Sequence, residues 1–537
     1  MNGPRSSTSR GGFGPRMYNS GAALALAGMI VGCGDGSSGA SGDEEGGTGG
    51  ETGGGVADLP WEPVPARGIG IDKVEVNQGV AVPIYVDGQW VTGPERNAPL
   101  VGGRDSIVRA YWRYGPEFSD RMIEARLEVE APGGVVRIYS DEFMVEDPSV
   151  SDALSRTFWW PISAEEFEAG SKFSVSLWET SEAWVQEPDN DDPPRAPAAG
   201  NENIGVEASS TAMELVIVPL HANWPGCQAQ PDLSESTLSL FENMMFMKNP
   251  LQEISITVDA EPIVLTAEPA NLYDLFGVLG DRREAAAPGP QVYYYGLLDP
   301  CAAAIDGAGG MSPTVVGPTM EEEVFRMAVG LSLGYDPQFS ANTLTHEIGH
   351  IQGLEHVACD FADTPNPGTE FPHADGSIGV WGFGIRDAVL RNPAEARDYM
   401  SYCYAGNWSS DWTWFNTYYR AQVLTSWGTG DVAPNAVDTL LAVVDSTGVR
   451  DSWIAKGLPA GEALLPGARH LEFVVRDANG VRTPLSLRVM GLSEAEDAFI
   501  VSAAVPVGTS GFEFAQEGRY DPLVPRGMER LLSGAGR

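Results

Sequence analysis

The sequence is poor in cysteine, histidine and positive charge. Lys and Arg together number 33 against 74 Asp and Glu, a formal net charge of −41 over 537 residues. Phosphate binding needs clustered cations, so this balance argues against nucleic acid or an anionic lipid surface as a partner. Past the N-terminal region no apolar run is long enough to cross a bilayer as a helix. Only five cysteines occur: Cys33, Cys227, Cys301, Cys359 and Cys403. Only six histidines occur: His221, His346, His350, His356, His373 and His470. There is no internal repeat. The acidic run between Glu187 and Asn201 offers oxygen ligands to calcium, but it lacks EF-hand spacing and reads as a solvated loop.

What is present begins with an export signal. Arg5, Arg10 and Arg16 precede the apolar stretch Gly21 to Gly32, with no acidic residue before Cys33. The segment Ile30-Val31-Gly32-Cys33 looks like a bacterial lipobox, whose Cys becomes the lipidated first residue of the mature protein. Gly34 to Val56 is almost all Gly, Ser, Thr, Ala, Asp and Glu. Such a segment cannot bury apolar surface and is expected to be a flexible tether. The expected location is therefore extracytoplasmic, on a bacterial (outer) membrane or cell surface, with membrane contact only through the lipid. With Cys33 lipidated, four cysteines remain in an oxidising compartment and can pair in three ways.

The length calls for several domains. Residues 1–33 read as the lipoprotein signal and 34–66 as the tether. Residues 67–210 alternate apolar and polar positions, as in Ile71 to Val76, Ala125 to Glu130 and Phe173 to Trp178, with turns such as Pro132-Gly133-Gly134 between them. That pattern predicts an antiparallel β-sandwich. Residues 211–430 alternate buried-strand runs (Met213 to Leu220, Ile254 to Val258, Gln291 to Gly296) with helical stretches (Ser234 to Met247, Asn271 to Glu284). An α/β layer is expected there. Residues 431–537 return to β character at Leu440 to Val444, Leu471 to Val475 and Ala498 to Ala504. The fold class is thus multidomain, α/β plus all-β, and the chain is expected to be a monomer.

Three of the six histidines fall within eleven residues, as His346-Glu347-x-x-His350-x-x-Gly353-x-x-His356. His346 and His350 are four apart, so on a helix they share a face and can hold one metal ion. Leu344, Ile348 and Ile351 give that helix an apolar face to bury. Gly353 is placed to end it in a left-handed conformation, after which the chain can reverse and bring His356 to the same ion. Three neutral imidazoles leave a fourth position for water, which suits catalytic zinc; a structural zinc site would fill that position with Cys or His. Glu347, beside the first ligand, is the candidate general base.

This segment resembles the metzincin clan of zinc metallopeptidases, whose zinc motif is followed by a Met-turn. Asp398-Tyr399-Met400-Ser401-Tyr402 matches that second element, with Met400 44 residues after His356. The resemblance covers residues 211–430. It implies a metzincin-like catalytic domain flanked by N-terminal and C-terminal β-sandwich-like domains, with Trp412 to Trp427 as the catalytic domain's terminal helix. It implies that Met400 packs beneath the zinc, and that Tyr402 is a movable extra ligand which helps to stabilise an oxyanion. Cys359 and Cys403 would both lie near the metal, so a Cys359–Cys403 bond is expected, which leaves Cys227 to Cys301. A rival reading makes Cys227, in Pro225-Gly226-Cys227, a free thiol that caps the zinc. The Phe371 to Phe383 segment departs from the better-known families. Pappalysin-like and serralysin-like families are the nearest comparisons, although serralysin-type calcium repeats are missing.

The expected function is zinc-dependent endoproteolysis of proteins or glycoproteins outside the cell. The alternative is a non-catalytic zinc-containing surface adhesin or binding lipoprotein. The glycoprotein version would use aromatics such as Trp159-Trp160 to stack on sugars, against the commoner use of such pairs in cores.

Overall fold

A computed structural model describes residues 62–186, 194–302, 304–360, 362, 364–365, 367–403, 406–428, 431, 436–457, 472–516 and 519–534. The proposed signal with Cys33, most of the tether, and residues 187–193 of the acidic run lie outside the described residues. Strand outweighs helix, and the strands fall into several sheets.

Residues 66–206 build two facing antiparallel sheets. One has Ile69–Asn77 and Ser106–Tyr114 at its centre; the other has Lys172–Glu179 and Arg121–Glu130. Burial alternates strictly along Arg121–Glu130, so that Ile123, Ala125, Leu127 and Val129 point inwards. They meet Val74, Val76, Val108 and Ala110 of the other sheet, the period-two packing of a sandwich. Trp160 is buried in this core and Trp159 is half-buried, so the core and not a sugar accounts for Trp160.

The central layer is a seven-stranded sheet. Its strand Ala212–Trp224 runs parallel to Tyr293–Leu298 and to Glu253–Val258, and Tyr293–Leu298 runs parallel to Met327–Leu331. Parallel neighbours need crossovers. The helices Glu235–Lys248 and Phe276–Ala286 lie within those crossovers, the second entered through a 3-10 turn at Leu272–Leu275. The short strand Gly310–Met311 closes one edge, antiparallel to Met327–Leu331. A bond between Cys227 and Cys301 ties the first hairpin to the loop after Tyr293–Leu298.

Residues 437–523 form two four-stranded antiparallel sheets. The run Leu440 to Val444 is apolar without interruption because both of its faces are covered. Leu440, Ala442 and Val444 enter the C-terminal core, while Leu441 and Val443 join the core of the central layer. The helix Asp411–Thr425 works in a similar way. Its Trp414 and Tyr418 enter the N-terminal sandwich core, and its Ala421 and Leu424 enter the central one. Shared cores thus join the three parts, and the described residues make a single compact unit. No helix among the described residues is long and apolar enough to cross a membrane.

Candidate metal centre

The helix Pro337–Ile351 starts where the sequence allows it to. Asp336 accepts a hydrogen bond from the Phe339 N–H at 3.0 Å, and Pro337 takes the first turn, where no N–H is needed. Ala341, Leu344, Ile348 and Ile351 bury one face in the central core. The helix ends in two bonds, from the Gly353 N–H to the His350 carbonyl at 2.8 Å and from the Leu354 N–H to the Gly349 carbonyl at 3.1 Å. Gly353 sits at φ +88°, the left-handed state that this Schellman closure requires. The reversal carries His356 back to His346 and His350.

The three imidazoles then face one another. His346 Nδ1 donates to the Tyr399 carbonyl at 2.9 Å, His350 Nδ1 to the Leu354 carbonyl at 2.9 Å, and His356 Nδ1 to the Pro365 carbonyl at 2.7 Å. A carbonyl can only accept, so each Nδ1 carries the proton and each Nε2 presents a lone pair. His350 Nε2 lies 3.1 Å from His346 Nε2 and 3.0 Å from His356 Nε2. With the rings neutral, neither approach has a proton to share, and a cation among the three nitrogens would account for spacings this close. The buried donor set therefore fits a metal ion. Burial, then the charge of His356, pushes the His346 pKa down from 6.5 to about 4. Because the folded value lies below the unfolded one, the neutral site's stability is complete above 6.5 and is lost as pH falls through about 4. Protons and metal compete for the same nitrogens, so equilibrium dialysis should find the affinity for zinc falling as the solution is made acid; an affinity that does not change with pH would contradict this.

Glu347 is buried against the edge strand. Its Oε2 accepts from Ser312 Oγ at 2.7 Å and from Ser493 Oγ at 2.9 Å. Burial, reinforced by the neighbouring Glu494 carboxylate, holds its carboxyl well above the usual range, and the two hydroxyls pull the other way. Glu347, Glu494, His346 and Tyr402 share a cavity of about 270 Å³ with Asn342 and Asn407. The last two accept from the buried Lys248 ammonium at 3.1 and 2.7 Å. Burial lowers the pKa of Lys248 to about 7.

The segment after His356 folds beneath the helix. The Val357 N–H donates to the Met400 carbonyl at 3.0 Å, and Cys359 is bonded to Cys403. Asp398, buried, accepts from the Met400 N–H, the Ser410 N–H and Thr413 Oγ1, which locks this turn to the start of Asp411–Thr425. Met400 is fully buried against Gly349, where an added Cβ would lie 2.3 Å from Met400 Sδ. In an exposed helix, Gly→Ala gains roughly 1 kcal/mol. Here Gly349→Ala should instead cost about 1–3 kcal/mol through overpacking. Thermal unfolding decides the sign, and a rise in Tm would rule out the close contact. The Tyr402 ring centroid lies 4.9 Å from that of His356 and 5.8 Å from that of His346.

His346, Glu347, His350, Gly353, His356, Met400 and Tyr402 are thus brought together, and both expected disulfides form, as befits an oxidising compartment. Cys227 is not a free thiol. His373 stands apart, paired with Asp411 at 2.6 Å. Sequence reasoning missed Ser312, Ser493, Glu494 and Lys248, none of which carries a local motif; Glu494 lies in a hairpin turn far along the chain. No protein-family model matches this chain, and no curated protein matches it.

Proposed function

We propose that the chain is an extracytoplasmic zinc-dependent endopeptidase of metzincin type, with Glu347 as general base. The observation that carries this reading is the convergence of three unprotonated imidazole nitrogens with Glu347 beside them on a cavity. Three neutral imidazoles suit zinc, and a trio rather than a quartet of His and Cys suits a catalytic site. A zinc ion held there supplies Lewis acidity, lowering the pKa of water and polarising a carbonyl.

The chain's own residues do the rest. Glu347 takes a proton from the attacking water and returns it to the leaving amine. Tyr402 stands ready to donate to the developing oxyanion. The edge strand Gly310–Met311 runs beside Glu347 and can align an extended peptide by main-chain hydrogen bonds. The order of strands and helices, the zinc helix and the Met400 turn support a metzincin-like catalytic layer between two β parts. The two disulfides support a site outside the cytoplasm, and the Cys33 segment supports a lipid anchor there. The substrates are proteins, glycosylated ones included.

The test is cleavage of a peptide library by the zinc-loaded chain, stopped by 1,10-phenanthroline and restored by zinc. A chain that holds zinc yet cleaves nothing, even as the Glu494→Ala variant described below, contradicts the reading.

A further inference from the structure

Two segments distant in sequence meet at the edge of the central sheet. The Ser493 N–H donates to the Ser312 carbonyl at 2.9 Å, and the Thr314 N–H donates to the Gly491 carbonyl at 3.1 Å. Between these bonds Pro313 and Leu492 face each other in an antiparallel bridge. The Ser312 N–H also donates to Ser493 Oγ at 3.0 Å. One partner continues the edge strand Gly310–Met311; the other is the turn between the strands Arg488–Leu492 and Ala495–Ala504. An open edge beside a hydrolytic centre is where an extended peptide would add as a strand. In this chain its own hairpin has done so.

The turn delivers a carboxylate to the metal centre. Glu494 Oε1 lies 3.6 Å from His356 Nε2 and 4.0 Å from His346 Nε2. Donors at about 2.0–2.2 Å from a tetrahedral ion stand roughly 3.3–3.6 Å apart. Glu494 thus stands from His356 at a separation that two ligands of one ion can share, and from His346 a little beyond it. His346, Glu347 and Glu494 also bring ligand atoms within 4.8 Å of one another. Two buried carboxylates so close repel unless a cation or hydrogen-bond donors intervene. Ser312 and Ser493 supply donors to Glu347, and Tyr402 supplies one to Glu494.

We propose that Glu494 is the fourth protein ligand of the resting metal centre, carried by a hairpin that occupies the substrate cleft. The chain is then latent: the same contact blocks the edge strand, fills the water position and ties Glu347 to Ser493. This rests on the hydrolase reading above, of which it is the regulation. Activation requires the pairing of 312–314 with 491–493 to open.

The experiment compares wild type, Glu494→Ala and the near-isosteric Glu494→Gln as full chains, at saturating metal where activity is read. Both variants should lose zinc to a competing chelator about 10–100-fold more readily. Both should shift the visible absorption of the cobalt-loaded chain. In hydrogen exchange the Thr314 and Ser493 amides of Glu494→Ala should open about tenfold faster. Its rate on a peptide library should rise about tenfold or more, as the population competent to bind substrate grows. Unchanged chelator competition, cobalt spectrum and exchange in both variants would overturn the inference. If that happens while wild type holds zinc and Glu347→Gln removes cleavage, latency fails and the hydrolase reading stands. If the spectrum and exchange change but no variant cleaves, the ligand and the hairpin stand and the hydrolase reading falls.

Discussion

Replacing Glu347 by Gln is expected to lower hydrolysis of a casein substrate by about 10²–10⁴-fold, the usual contribution of a positioned acid–base group, with zinc still bound. The amide keeps the volume and one oxygen for the Ser312 and Ser493 hydroxyls, which now donate to the carboxylate at 2.7 and 2.9 Å. The fold around the helix should therefore survive. What is lost is the group that accepts a proton. Zinc retention separates this effect from metal loss, because the three imidazole donors are oriented by the carbonyls of Tyr399, Leu354 and Pro365, none of which Glu347 touches. Initial rates measured beside elemental analysis decide the matter. Full activity in the variant would remove Glu347 from the mechanism, and loss of both zinc and activity would make it a structural residue.

The second large effect concerns the Cys359–Cys403 bond. It closes a loop with a sequence separation of 44, worth about 4 kcal/mol in the chain-entropy account. Cys359→Ala combined with Cys403→Ala should lower unfolding stability by that order. It should also weaken zinc retention, because the loop holds His356 and pairs Val357 with the Met400 turn. The Cys227–Cys301 bond, with a separation of 74, supplies the control. Its removal should cost about as much stability by the same account while zinc retention holds, since it lies in neither the His356 segment nor the Met400 turn. Denaturant unfolding and chelator competition on the two double variants provide the comparison. Equal zinc loss in both would show that the first bond acts on global stability alone.

Most of the centre was legible because its parts are local. The spacing of His346 and His350 is a helical turn, and the need for a left-handed residue at Gly353 follows from reversing the chain after one. The N-terminal sandwich was legible in the strict alternation of Arg121–Glu130. The unbroken run Leu440 to Val444 signalled a strand covered on both faces, but no run of sequence names what covers it. Here that is the central layer. The same limit hid Glu494 and Ser493. They sit in a turn with no motif, and only the docking of the C-terminal sheet against the edge strand brings them to the three histidines. Lys248 was hidden for a similar reason, since a lysine closing a helix reads as an exposed cap, whereas Asn342 and Asn407 draw it inwards.

The most direct test of the account is the metal content of the purified full chain. One zinc per chain is expected after dialysis at neutral pH, and a loss of that zinc in His346→Ala and His350→Ala. A wild-type chain without bound metal, or histidine variants that hold zinc as tightly as wild type, would contradict it.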